Sequence, residues 1–254
     1  YDFPTEIVEL PSKGLGYSKE NLLSSGKVEM KYMTAKEEDI LTSVNLIRKG
    51  TVLDKLFQSL IVSPINYNDL LIGDKNAIMV AARILGYGSD YQYDWICPSC
   101  GAKNRHDINL SNLDNTKFDE DALSLLGANG YLEWELPASK RKITFIIPTH
   151  LVEEKVRREM EARQKISKGD INPEITTRFK HMILSVDGND DKKHINNFIE
   201  NEFLSRDSLA FRQYLKNIQP DIDFDVEVVC KECDFRGGAP LTIDAGFFWP
   251  ESIK

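Results

Sequence analysis

The residues of this chain whose types and spacing could do chemistry are its four cysteines. They fall in two pairs, Cys97-Pro98-Ser99-Cys100 and Cys230-Lys231-Glu232-Cys233, each with two residues between the thiols. That spacing lets one tight turn aim both sulfurs at a point, so two such knuckles can give four thiolates to one tetrahedral zinc. The residue after the second cysteine of a knuckle often needs a left-handed backbone. Gly101 suits that need directly, and its counterpart Asp234 tolerates such a φ better than most residues. We therefore expect Cys97, Cys100, Cys230 and Cys233 to hold one structural zinc per chain.

Other chemistries are open to the same thiols. Disulfides suit small secreted domains, whereas this chain is long, holds few cysteines and shows no signal peptide. A redox Cys-x-x-Cys wants a thioredoxin-like βαβ setting. Four unrelated reduced thiols are the third possibility. Among the histidines, His106 lies near the first knuckle and could approach a metal there, while His150, His181 and His194 have no ligand spacing. No nucleophile elbow, Walker loop, dinucleotide fingerprint or His-Glu-x-x-His is present. Four cysteines complete a structural site, but a catalytic zinc keeps one position open. The expectation is a protein that is not an enzyme.

The elements that must position the knuckles can be read from periodicity. Tyr91 to Ile96 and Asp223 to Val229 read as strands entering the two knuckle turns, and Asp107 to Leu110 as a return strand. That is the layout of a zinc ribbon, split by the residues between its halves. Residues 1–33 read as an extended arm and a short strand. Its turn-rich stretch Leu10 to Tyr17 predicts no regular structure, yet Leu10, Leu15 and Tyr17 suggest an arm lying along something. Residues 34–110 predict helices leading to the first knuckle: a capping box at Thr34 and Glu37, then Thr51 to Leu60, then Asp74 to Leu85 with Asp74 as N-cap. Residues 111–220 predict a short helix at Asp119 to Leu126, a hairpin of Tyr131 to Leu136 and Lys142 to Ile147, and a mainly helical remainder. Its helices are Thr149 to Lys168, one starting at Pro173 with Ile175, Phe179, Met182 and Ile183 inward, Lys192 to Phe203, and Asp207 to Ile218. Residues 221–254 hold the second knuckle and the aromatic run Phe247, Phe248 and Trp249, which reads equally as core or as a docking patch. The fold class expected is α+β.

With 254 residues the chain can bury a sizeable core, and 41% hydrophobic with 28% charged residues is ordinary for a soluble globular protein. No apolar run is long enough to span a bilayer, so no membrane association is expected. A net charge of −8 argues against nucleic acid as a partner. The runner-up reading, a zinc-ribbon nucleic-acid-binding regulator, rests on the knuckles alone. A cytoplasmic zinc enzyme is a weaker third.

An ordered series of motifs carries a resemblance. It runs through Leu10-Pro11-Ser12-Lys13-Gly14, Thr34 to Thr42, Ile47 to Asp54, Leu70 to Ile78, Arg83 to Gly88 and Cys97 to Cys100, and touches Phe247-Phe248-Trp249-Pro250. In these the chain resembles the baseplate hub assembly family of T4-like contractile-tailed bacteriophages, most strongly over residues 10–110. The resemblance implies a virion protein of the tail baseplate, assembled in the host bacterial cytoplasm, that contacts other hub and wedge proteins in several copies around the tail axis. It supplies no catalytic residue. On this reading Leu10, Leu15, Tyr17, Phe247, Phe248 and Trp249 are the expected partner-binding residues.

Overall fold

Helix formation near the N-terminal end starts where local signals are strongest. In the computed structural model, which describes residues 3–166, 172–243 and 245–250, Thr34 and Glu37 form the capping box of α1 (Ala35–Leu41). Two orphan backbone donors of the first turn are thereby satisfied. A short α2 (Val44–Arg48), capped by Ser43, follows, and then α3 (Val52–Leu60), whose Val52, Leu56, Phe57 and Leu60 face inward. The sequence reading passed over α2, whose five residues carry no buried side chain.

The arm is not irregular throughout. β1 (Thr5–Glu9) pairs antiparallel with β2 (Lys27–Lys31), and Val8 opposite Val28 gives the pair its inward side. Between them, Leu10 to Tyr17 turn tightly, and Gly14 is required: its φ is +82°, and a Cβ there would sit 2.2 Å from the Ser24 carbonyl oxygen. What the arm lies along is the chain's own α4 (Ile72–Tyr87). Asp74 does not cap that helix. It sits inside the first turn, fully buried, and accepts hydrogen bonds from the Ser12 N–H (2.9 Å), the Ser12 hydroxyl (2.7 Å) and the Tyr17 hydroxyl (2.6 Å). Tyr17 in turn accepts from the N–H of Leu71 at 2.9 Å, and Leu71, not Asp74, stands at the N-cap of the helix.

α5 (Glu120–Asn129) begins at Asp119, whose side chain accepts from the Ala122 N–H. The expected hairpin forms as β5 (Leu132–Glu135) and β6 (Lys142–Phe145), and a third strand, β7 (Ile183–Val186), joins β6. β7 begins directly after the last residue of α7 (Glu174–Met182), without the turn residues that would announce a strand. Before it lies α6 (His150–Ile166); the end of the helix expected to reach Lys168 falls outside the described residues. Ile175, expected on the inner face of α7, is instead exposed, while Phe179, Met182 and Ile183 are buried. The helix expected over Lys192 to Phe203 divides into α8 (Lys192–Asn197) and a π-helical turn (Phe198–Glu202) that tucks Phe198 and Ile199 inward. α9 (Ser205–Ile218) follows; Asp207 in its first turn accepts from the N–H groups of Ala138 and Ser139, which ties the β5–β6 turn to it. Two further hairpins, β3 (Asp90–Ile96) with β4 (Lys103–Asn109) and β8 (Asp225–Val229) with β9 (Arg236–Pro240), carry the knuckles.

The architecture is thus α+β: small antiparallel sheets among helices. Buried apolar residues from the arm, the helices, the sheets and the C-terminal aromatics join one hydrophobic cluster. Among the described residues no helix is long and apolar enough to cross a membrane.

Candidate metal centre

β3 presents Tyr91, Tyr93 and Trp95 inward by strict alternation and leaves Asp90, Gln92, Asp94 and Ile96 outside. Its last pair, Ile96 with Lys103, stands beside the first knuckle, where Cys97 donates its N–H to the Ala102 carbonyl and Gly101 donates to the Cys97 carbonyl, both at 2.9 Å. The second knuckle repeats the design. Val229 pairs with Arg236, and Cys230 donates to the Phe235 carbonyl at 2.8 Å. Gly101 has a φ of +73° and Asp234 a φ of +57°, so both knuckle turns take the left-handed residue that their spacing anticipates.

The hairpins bring all four thiols together. Sγ of Cys97 lies 3.7 Å from Sγ of Cys233, and Sγ of Cys100 lies 3.7 Å from Sγ of Cys230. All four sulfurs are within 4.8 Å of one another. A disulfide needs about 2.05 Å between sulfurs, so these distances describe separate thiols. A tetrahedron with metal–sulfur bonds of about 2.3 Å has sulfur–sulfur edges of about 3.8 Å. The cluster has that size and the donor set that zinc prefers.

Asn104 holds the two halves in place. It belongs to β4, is buried, and donates its amide to the Cys230 sulfur (3.4 Å) and the Ala102 carbonyl (3.1 Å). Its oxygen accepts the Lys231 N–H at 3.0 Å, which fixes the orientation of the amide. One side chain from the first hairpin therefore grips the second knuckle. The sequence reading missed it, although an asparagine on the inward face of a strand, across from Trp95, is the signal that could have found it.

The thiols are electrostatically unequal. Burial opposes ionisation of Cys230, but the Glu232 N–H, the Asn104 amide, the Cys233 N–H and the Cys100 thiol all donate to its sulfur and bring it down to about 6. For Cys100 the Ala102 backbone favours the thiolate, yet its contacts with the Cys233, Cys230 and Cys97 sulfurs, together with burial, push it up to about 12. Crowded thiols resist collective ionisation, and a dication among them would remove that resistance.

His106 stands outside this group, packed edge-on against Tyr93 at 5.7 Å between rings. A second titratable cluster joins Asp54, His150 and Glu154. At its centre is an internal cation: the Lys75 ammonium lies 2.6 Å from Asp54 and 3.1 Å from Nδ1 of His150, and Tyr67 donates its hydroxyl to Asp54. That arrangement is an ion-pair network linking α3, α4 and α6.

The expected docking residues are placed otherwise. Leu10, Tyr17, Phe247 and Phe248 are buried in the chain's own core, so as side chains they offer a partner no surface. Phe247 packs edge-on against Tyr91 at 5.1 Å, and Phe248 meets Phe57 at 5.9 Å. Trp249 is half-buried and donates its indole N–H to the Leu41 carbonyl at 2.9 Å. Leu15 is also half-buried. The physical reason is that three aromatics in a row hold too much apolar area to leave in water when the nearby hairpin and α3 can cover them.

The model of the family described as T4 bacteriophage base plate protein matches residues 14–239 of this chain. No curated protein and no solved structure matches it.

Proposed function

The chain belongs to the T4 bacteriophage base plate protein family, and from that premise we propose that it is a structural or assembly component of the hub region of a phage tail baseplate. The observation that carries the proposal is the match over nearly the whole chain, residues 14–239. Its work is done by protein–protein contacts with other tail proteins, of the hub and the wedges, in several copies around the tail axis. In this reading it resides in the virion and is not an enzyme.

Zinc is the proposed cofactor, one ion per chain, held by Cys97, Cys100, Cys230 and Cys233 as a split zinc ribbon. The sulfur spacing supports this, as do the left-handed turns at Gly101 and Asp234. The metal would supply no chemistry beyond cross-linking: four thiolates leave no open position. The chain's own residues do the rest, with Asn104 bonding across the two hairpins and the tyrosine and tryptophan face of β3 anchoring them to the core. The nucleic-acid reading gains nothing from the structure, because Arg105 on β4 is paired with Asp94 and the chain remains acidic.

The test is genetic. Phage in which this gene is interrupted should accumulate lysates without complete baseplates by electron microscopy, with infectivity restored by a plasmid copy. Normal infectious particles from the interrupted phage would overturn the assignment.

A further inference from the structure

His150 opens α6 and is buried, 6% exposed, among charged groups for which the baseplate reading has no use. Its ring packs edge-on against Tyr67 at 4.6 Å between centroids. Nδ1 lies 3.1 Å from the Lys75 ammonium on α4. An ammonium has three donors and no acceptor, so Nδ1 is the acceptor of this bond, and the ring is the neutral tautomer with its proton on Nε2. A proton on Nδ1 and the bond from Lys75 exclude each other.

The surrounding charges offer a protonated ring no ready partner. Facing it are Asp54 on α3, Lys75 on α4, and Glu154 and Arg157 on α6, with the Tyr67 ring beside them. Those are two anions and two cations, balanced while His150 is neutral, so protonation adds an uncompensated positive charge to a buried group. Asp54 stands 3.9 Å from Nδ1, but its Oδ1 already accepts from Lys75 at 2.6 Å and from Tyr67 at 2.7 Å. An imidazolium turning to that oxygen competes with both. Burial, then Lys75, lower the pKa of His150 from its ordinary 6.5 and outweigh the pull of Asp54 and Glu154.

The main chain at this point is a seam between distant segments. His150 donates its N–H to the Leu70 carbonyl at 2.8 Å, Ile72 donates to the Pro148 carbonyl at 3.3 Å, and Leu71 bridges Thr149. These bonds fasten the start of α6 to the start of α4.

We propose that His150 is an acid-sensitive latch: taking up a proton there expels Lys75 from Nδ1 and loosens the start of α6 from α3 and α4. Because the folded-state pKa is depressed, the unfolded chain binds this proton first. The latch therefore contributes its full stability above about pH 6.5 and loses it as the pH falls below that value. The window lies above the range in which carboxylates ordinarily titrate. The latch is independent of the baseplate assignment, since it rests on this side-chain cluster alone.

The test uses the full chain. Amide hydrogen exchange at His150 and Ile72, corrected for the intrinsic pH dependence of exchange, should lose about tenfold in protection between about pH 7.5 and about pH 5, the size expected for loss of one hydrogen bond to a charged group. His150→Gln keeps an acceptor for Lys75 but cannot take up a proton, so its protection should stay level over the same range. Proton NMR of the unaltered chain should show the His150 ring titrating below 6.5. Titration at or above 6.5, protection at both amides that does not change with pH, or a fall in His150→Gln as steep as in the unaltered chain would overturn the proposal. If His150→Gln should fail to fold, the ring titration and the exchange of the unaltered chain decide.

Discussion

Asn104 is a single side chain that bonds to both cysteine knuckles. It satisfies the Lys231 N–H and reaches the Cys230 sulfur from the opposite hairpin, and partners of this kind tune metal affinity by roughly 10- to 100-fold. Asn104→Ala should therefore release zinc to a competing chelator about 10- to 100-fold more readily, measured with a colorimetric zinc indicator, while Asn104→Asp, which places another carboxylate beside thiolates, should do worse. Glu37 gives a second prediction at this scale. Burial alone would raise its pKa, but bonds from Lys31, the Thr34 hydroxyl, the Thr34 N–H and Ser59 outweigh it and bring it down to about 2. A carboxyl depressed in the folded state contributes stability that is present above its ordinary value near 4.5 and is lost as the pH falls toward 2. Glu37→Gln should cost about 1–3 kcal/mol in urea unfolding at neutral pH and should flatten the acid limb between those values. At the residue scale much was legible in the chain itself. The capping box needs partners three positions apart, and the left-handed knuckle turns need only the right residue after a cysteine. Asp74 was not legible, because its partners Ser12 and Tyr17 stand 62 and 57 positions away.

Among the elements, α4 joins distant parts of the chain. The arm bonds to its first turn, its Arg83 donates to the carbonyls of Gly88 and Asp90 at the entry to β3, and its Gly73 touches the chain just before β8. A Cβ on Gly73 would come within 1.8 Å of the Pro220 carbonyl oxygen, a backbone atom that cannot step aside. Gly73→Ala is thus expected to destabilise by about 1–3 kcal/mol or more through overpacking, read as a lowered urea midpoint. Gly50→Ala, whose Cβ would meet open space despite a φ of +67°, should cost only about 1 kcal/mol. A strongly periodic element such as α3 was readable because one face alone must be buried. β7 was not, since only pairing with β6 makes Ile183 to Val186 a strand. The C-terminal aromatics were half readable: their apolar area announces burial somewhere, but whether against a partner or against Tyr91 and Phe57 depends on a fold that composition does not encode.

For the whole molecule, the two hairpins bring together thiols 130 positions apart, and the proposed zinc would make of them a cross-link. Closing so long a loop restricts the unfolded chain strongly, so chelation should lower the melting temperature by several degrees and broaden the transition, with the loss recovered on adding zinc but not magnesium. Elemental analysis should find one zinc per chain.

That cross-link also has a consequence in time. Cys97 and Cys100 leave the ribosome well before Cys230, and at about 5–20 residues per second the interval is on the order of ten seconds. Throughout it the first knuckle carries only half a site. A nascent chain that stops short of its second knuckle can be neither locked nor metal-retaining, so zinc retention would mark each finished copy as ready for assembly and leave prematurely ended ones open to the host's proteases.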